Sequence, residues 1–599
     1  MLSKRDFLSI FLMMVTLFFI FQFVQVVKDN ENNYDVNDHV IEVGLKASDV
    51  EVKDADTCVW LVGDVNGGVG DAVRQWCTYT RQELKCFSEI PAPELDSKVE
   101  AIVIDPTTCD ILNKTDKIEE LTKMGTTIIF GDLPDASYVD SDEKLKSLLG
   151  ITKVVKTQVH VEGVQIFSGF LLGGETVYAA DKSKPEEKKF EDLDLDIAWY
   201  DTGAATKTYI VGIMDENEVH PYDFPKMIWR KNYNGMFIYA VNGDYLKGMM
   251  GIGFLDAMLY DTKEYYVYPV VNANSVVFAD FPALSEENSE KLKSIYGRRT
   301  RSFQKDIVWP GIISIAANNE ICLTCFMNER YDYTGEAKTD EDDIKFYLQQ
   351  LKELGGEAGR SLDTIGNVSL AQKSEDSRAF YSKAGINYRF NALYKNKWDE
   401  ALKDVLETKE TGIRTVVCGN RGQEQAISFC SENVTLQYIT NKADEYSFKN
   451  ALLYRSLLTS LGYTNLLVDM NQALWPENKD DEWQNFFDHL FSYITTYWSD
   501  RMVFDVTTVS ESDARIRKML SVKYNSEKQD DNTVVLHSSG ADENYFVFRT
   551  HDKEIAKISG NAEFTRIEKD AYLLKVHTGE TVITLKDSEE TYKYDGPNK

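Results

Sequence analysis

Strand-like and helix-like segments alternate through most of this chain, and that alternation constrains its fold more than any other feature. Cys58–Asp64 (CVWLVGD) reads as a buried strand, Val69–Leu84 as a helix, Lys85–Ile90 as a short strand and Ala101–Asp105 (AIVID) as another. Asp116–Met124 reads as a helix and Thr126–Phe130 (TTIIF) as a third clear strand. Parallel neighbours need crossover helices, so this rhythm predicts a parallel α/β layer of Rossmann-like type. Alternating segments such as Val154–Val164 and Thr208–Ile213, then a glycine turn and buried strand within Met227–Asp244, extend that α/β domain to 56–280. Residues 281–305 are polar and basic and read as a connector. The rhythm then returns for about 200 residues, which suits a βα barrel over 306–510. It includes IISIAA and ICLTCFM, an amphipathic helix at Asp342–Leu354, strands at Thr415–Cys418 and Leu436–Ile439, and helices at Phe448–Leu461 and Trp483–Tyr497. From Thr533 short alternating strands take over and predict a small all-β module at 530–590.

The chain of 599 residues carries 97 acidic and 66 basic side chains, a net charge of −31. Tracking a nucleic acid backbone requires basic side chains that displace counterions, so no nucleic acid partner is expected. An acidic surface tolerates cationic polymers better than anionic ones. Phe7–Val27 holds no charge over twenty-one residues. As a helix it would rise about 31 Å, close to the hydrocarbon thickness of a bilayer. Lys4 and Arg5 precede it, while Asp29, Glu31, Asp35 and Asp38 follow. No small-residue cleavage site or lipobox cysteine follows either. The expectation is a cytoplasmic tail at 1–6, a single-pass signal-anchor at 7–27 in a bacterial cell membrane, a stalk at 28–55 and the bulk of the chain outside.

Eight cysteines (58, 77, 86, 109, 322, 325, 418 and 430) are sparse for a disulfide framework, and several lie in apolar runs, so free thiols are expected. Cys322 and Cys325 lack a second pair at zinc-ribbon spacing. The first βα turn contains Gly63, Gly67, Gly68 and Gly70 but matches no phosphate-binding pattern, and reads as a plain glycine turn.

The first domain resembles amidotransferase-like domains, although Gly131-Asp132-Leu133-Pro134 follows TTIIF where a nucleophilic cysteine would stand. The middle region resembles the NodB-like polysaccharide deacetylases of carbohydrate esterase family 4. Leu323–Glu329 is similar to their first strand-end motif, Gly355–Leu362 to their second, Tyr388–Asn391 to their third, and Leu467–Asn471 with Trp475 to their fourth. The layout as a whole resembles an uncharacterised bacterial family of membrane-anchored deacetylase-like proteins, some associated with Pel-type exopolysaccharide production. That resemblance implies a place in exopolysaccharide or cell-envelope glycan biosynthesis and other membrane synthesis proteins as partners. The family's chemistry uses an Asp-His-His metal site. Here the histidines are 39, 160, 220, 489, 537, 551 and 577, so none lies between 221 and 488. Gly356, Arg360, Ser361 and Leu362 stand where imidazoles are expected. No metal and no cofactor is therefore expected.

Carboxylates are the remaining candidates for chemistry. Glu329, Asp332, Glu357, Asp363 and Asp469 all fall near expected strand ends, where barrel sites form. They are either solvated or ion-paired, with Arg330, Arg360 and Arg389 as partners, or part of a glycan-binding site, or an acid–base pair of a hydrolase. From the motif order, Asn328, Glu329, Glu357, Arg389, Asp469 and Trp475 are expected to share one cleft that holds a polysaccharide. A partly deacetylated amino-sugar polymer suits it, with carboxylates facing amines and an indole covering a sugar ring.

Overall fold

In the computed structural model the described residues are 13–16, 36–52, 57–94, 98–193, 195–214, 219–339, 341–420, 425–499 and 501–588. The first domain is built on a nine-stranded mixed sheet. Its first strand in the chain, Cys58–Val62, is buried along its whole length, as a strand covered on both faces must be. It pairs in parallel with Glu83–Phe87 on one side and Val99–Ile104 on the other. Thr127–Phe130 and Met236–Val241 continue the parallel half, and four antiparallel strands (Lys226–Tyr233, Thr206–Ile213, Gly163–Ile166 and Thr176–Tyr178) follow. Helix Gly68–Tyr79 buries Val69, Val73 and Trp76, one apolar stripe at helical spacing. The glycine turn before it is filled by protein. A Cβ at Gly63 would lie 2.7 Å from Thr108 Oγ1, and one at Gly70 would lie 2.1 Å from Asp64 O. These glycines permit close backbone approach.

The second domain is a parallel barrel. Its strands are β1 (Ala273–Ala279), β2 (Leu323–Met327), β3 (Glu357–Ser361), β4 (Ala392–Lys397), β5 (Thr415–Asn420), β6 (Thr435–Tyr438, resumed at Asn441–Lys442) and β7 (Tyr463–Asp469). Each pairs with its neighbour in parallel. The first part of β6 pairs with β5 and the resumed part with β7, which in turn pairs with β1. Ile439 N bonds Cys418 O and Thr440 N bonds Asn465 O, so the ladder changes partner within two residues and the ring closes. The barrel thus starts at 273, well before 306. The stretch expected to connect two domains holds helices Ser289–Tyr296 and Thr300–Phe303, part of the crossover between β1 and β2.

One apolar core runs through both domains. Helix Gly248–Thr262 of the first domain crosses Phe448–Leu461 of the barrel at Gly253, where a Cβ would lie 2.2 Å from Ser456 O. The C-terminal β module extends from Lys523 to Asp587 and takes Tyr265–Val270 as an additional strand, paired with Thr533–Thr550.

Two expectations for the N-terminus change. Among the described residues no helix is long and apolar enough to cross a membrane. Of Phe7–Val27 only Met13–Thr16 are described, as exposed helix, and the rest lies outside the described residues. The single-pass membrane helix, and the membrane localisation drawn from it, are therefore corrected. The stalk is also corrected over 36–50, which forms a strap against the barrel. Asn37 Nδ2 donates to Glu357 Oε1 (3.0 Å), His39 Nδ1 meets Glu511 Oε1 (3.0 Å), and Arg517 donates to Leu45 O (2.7 Å). These polar residues lack a hydrophobic period because they bond to barrel groups one by one. All eight cysteines are free thiols, six of them buried.

Candidate functional site at the barrel mouth

Parallel strands bring their carboxyl ends to one face, and side chains just past those ends converge there. Strand β1 is buried throughout (ANSVVFA) and ends at Asp280, which is 2% exposed and left-handed (φ +56°), a conformation Asp tolerates better than most residues. Its Oδ1 accepts from Asn328 Nδ2 past β2 (2.8 Å) and from Ser361 Oγ at the end of β3 (2.5 Å). Its Oδ2 accepts from Asn471 Nδ2 past β7 (2.6 Å). Two residues beyond β3, Asp363 pairs with Lys395 Nζ of β4 at 2.5 Å and accepts from Asn396 N. Asp469 closes β7, its Oδ1 accepting from Asn471 N at 3.0 Å.

Three carboxylates from three strands thus meet, Asp363 paired with Lys395, while Lys442 lies close enough to favour the charged form of Asp469 and Lys373 donates to Asn328 Oδ1 (2.8 Å). Burial, then repulsion from Asp363 and Asp469, pushes the Asp280 carboxyl up to about 7. Burial, opposed by the Asn471 amide and reinforced by Asp444 and Asp363, brings Asp469 to about 6. Tyr331 belongs to the same field: burial, with Asp280, Asp363 and Asp469 facing it, drives its phenol well above the usual range. Its ring packs on Trp475 with centroids 5.8 Å apart, an aromatic pair at the rim. Carboxylates raised by both burial and like charge, in a concave place, mark functional sites more often than structural ones.

The structure brings Asn328, Asp469 and Trp475 together and parts them from the other three expected residues. Glu329 follows Asn328, and adjacent strand-end residues point to opposite sides. It is buried against Lys373 (2.5 Å), whose ammonium also donates to Asn328 Oδ1 (2.8 Å), so it lies behind the mouth, one lysine away from it. Glu357 is the first residue of β3, at the opposite end of the barrel, where Ser510 N and Asn37 Nδ2 hold it. Arg389 is half exposed and pairs with Glu42 of the strap at 2.8 Å. The shared cleft is therefore corrected to half its expected members. Asp280, Ser361, Tyr331, Lys395 and Asn471 were missed. The signal for Asp280 was present, an apolar run VVFA ending in Asp, but a domain boundary at 280 cut it away from the barrel.

The residues at the mouth do not fit the Asp-His-His metal set that the deacetylase resemblance implies. No imidazole is among them, Asn328 spends its amide on Asp280, and His489 is exposed on helix Trp483–Ser499. Among the described residues no group of three or more His, Cys, Asp or Glu is placed to hold a metal ion.

A family described as "Uncharacterised protein conserved in bacteria (DUF2194)" matches residues 214–362, which take in β1 to β3. No curated protein matches the chain. Among solved structures, the chain is similar to Agd3, titled a novel carbohydrate deacetylase, at 10% identity over 88% of this chain and 98% of that one, with a TM-score of 0.48. It is also similar to the exo-β-1,4-mannosidase Op5Man5 from Opitutaceae bacterium strain TAV5 (10% identity, 34% of each chain, TM-score 0.22). A GH30 endoxylanase from Clostridium papyrosolvens C71 is similar at 10% identity over 53% of this chain and 97% of that one, with a TM-score of 0.21.

Proposed function

We propose that the barrel mouth binds a carbohydrate bearing free amines, a partly deacetylated amino-sugar polymer, and that the protein serves exopolysaccharide or cell-envelope glycan biosynthesis. The observation that carries the reading is the meeting of Asp280, Asp363 and Asp469, of which Asp363 alone is ion-paired among the described residues. An ammonium group entering there relieves the repulsion that raises two of the three carboxyls. Amide and hydroxyl groups of Asn328, Asn471 and Ser361 match sugar hydroxyls, and the Tyr331–Trp475 pair offers an apolar face to a ring. Each exposed contact contributes about 0–1 kcal/mol, so several sugars act together.

Affinity electrophoresis in a soluble, partly deacetylated N-acetylglucosamine polymer tests this. Asp469→Asn combined with Trp475→Ala should weaken retardation by about tenfold, while thermal unfolding stays cooperative. Retardation unchanged in that variant removes the reading. Retardation of the natural chain should also fall off as pH drops below 6, where the polymer's amines stay charged while Asp469 and Asp280 take up protons.

One observation favours a second reading, a carboxylate hydrolase. Asp280, raised to about 7, keeps a share of its proton near neutrality beside another carboxylate, the division of roles a general acid and its partner require. Release of reducing ends from the same polymer, lost in Asp280→Asn, would support it over binding alone.

A further inference from the structure

A larger cavity lies beside the mouth. It has a volume of about 1050 Å³ and separates the first domain from the barrel. One wall is formed where the parallel strands Thr127–Phe130 and Met236–Val241 end, at Asp132, Asp244 and Tyr245. In open α/β sheets this edge is where ligands bind. The other wall is formed by the ends of β5 and β6, at Gly419, Asn441 and Lys442.

Two features of this cleft point to a ligand. The first is charge: six carboxylates line it against three lysines. Two of those lysines are engaged, Lys247 with Asp132 (3.3 Å) and Asp244, and Lys442 with Glu445 (2.7 Å). Burial raises Asp132 to about 6 despite Lys247. The second is independent of charge. Tyr245 is 4% exposed, and its hydroxyl has no hydrogen-bond partner. Gly243 holds the ring in place, because at its φ of +120° a Cβ would lie 2.9 Å from Tyr245 Cε2. Across the cleft Asn441 is 3% exposed, and its Oδ1 also lacks a partner, while its Nδ2 donates to Asn450 O. Buried polar groups are almost always satisfied, so an orphan on each wall marks a place where a donor-rich molecule completes the network.

The cleft and the mouth are linked through the barrel wall, where Lys442 of the cleft lies close enough to act on Asp469 of the mouth. Lys442 on β6 pairs with Leu467 of β7, two residues before Asp469. We propose that the interdomain cleft is a second binding subsite for the same class of molecule, holding the amine- and hydroxyl-bearing sugars that flank the one in the mouth. This rests on the carbohydrate reading of the mouth. Tyr245 Oη and Asn441 Oδ1 receive sugar hydroxyls or an amine, and Asp132 and Asp244 face the positive charges of the chain.

The test is calorimetric titration of the intact chain with a β-1,4 glucosamine pentamer, its fully N-acetylated counterpart and the glucosamine dimer. Asp132→Asn with Asp244→Asn should weaken the pentamer about tenfold and leave the dimer, which the mouth alone accommodates, unchanged. Tyr245→Phe should weaken it by about threefold or more. Asp244→Lys, at a side chain 81% exposed, should weaken it without touching the core, and decides the matter if the Asp132 variant unfolds. Pentamer affinity unchanged in Asp244→Lys and Tyr245→Phe overturns the subsite. Equal losses for the amine and N-acetylated pentamers overturn its selectivity for positive charge. If Asp469→Asn leaves both pentamer and dimer binding intact while the cleft variants abolish pentamer binding, the mouth reading fails and the cleft stands alone.

Discussion

The two ends of the barrel use the same residue types to opposite effect. At the base, Glu357 accepts from Ser510 N (3.0 Å), Ser510 Oγ and Asn37 Nδ2, so a helix N-terminus and the strap supply three donors to one carboxylate. Nearby Asp513 is paired with Arg517 at 2.9 Å, and that guanidinium also donates to Leu45, Arg414 and Asn433 carbonyls. At the mouth, Asp280, Asp363 and Asp469 face one another, and burial first, with neighbouring acids adding to it, raises Asp280 and Asp469. Both of these acids at the base have donors or a guanidinium arranged around them, and such groups lock a structure; Asp280 has three donors as well, but it also faces two other carboxylates. Acids at the mouth are left short of positive charge, and such groups wait for a ligand. Burial is common to both ends and cannot distinguish them; only the partner inventory does.

The largest expected effect would break the base. Arg517→Ala leaves Asp513 buried without its cation, and urea denaturation should show a loss of about 3–5 kcal/mol. An effect below about 1 kcal/mol would mean that the base is not held by this pair. Next comes a paired contrast. Glu357→Gln at the base should cost about 1–3 kcal/mol, because a buried amide replaces an acceptor among three donors. Asp280→Asn at the mouth should be neutral or stabilising above pH 7, since it removes a penalised charge. Equal losses at both ends would erase the distinction.

A pH series sharpens it. Asp469 has a folded-state value raised to about 6, above its unfolded one, so the folded state binds the proton more tightly. This group therefore costs nothing below about pH 4, and its penalty grows as pH rises to about 6 and is then complete. Asp469→Asn should gain about 1–2 kcal/mol at pH 7.5, discounted for partial exposure, and the gain should vanish at pH 4. The smallest effect belongs to the strap. Burial opposes a charge on His39, but its bond to Glu511 outweighs this and raises the imidazole above its usual value. Its contribution is complete below about pH 6.5 and is lost as pH rises through the folded-state value, by up to about 1 kcal/mol. Amide exchange over 36–50 should speed up across that range in the natural chain and be fast throughout in His39→Leu.

Much of the fold was legible because burial on both faces of a parallel strand writes itself as a continuous apolar run. CVWLV, AIVID and TTIIF were found that way, as was helix Asp342–Glu353 from its apolar stripe, while the strand before Asp469 was placed by the deacetylase resemblance. Parallel layers, a barrel and a terminal β module follow from such runs and their spacing. What the sequence alone could not determine is where one sheet ends and the next begins. Tyr265–Val270 and Ala273–Ala279 are neighbouring apolar strands with the same local signature, yet the first joins the C-terminal module and the second opens the barrel. That choice is made by pairing across hundreds of residues, and it fixed the fate of Asp280. The end of the barrel on which a carboxylate lies was equally hidden. Glu357 and Asp363 are six residues apart, and only the register of β3 against its neighbours sends one to the base and the other to the mouth. Local pattern determines that a residue is buried; tertiary pairing decides which other charges it is buried with, and the chemistry of the site depends on that company.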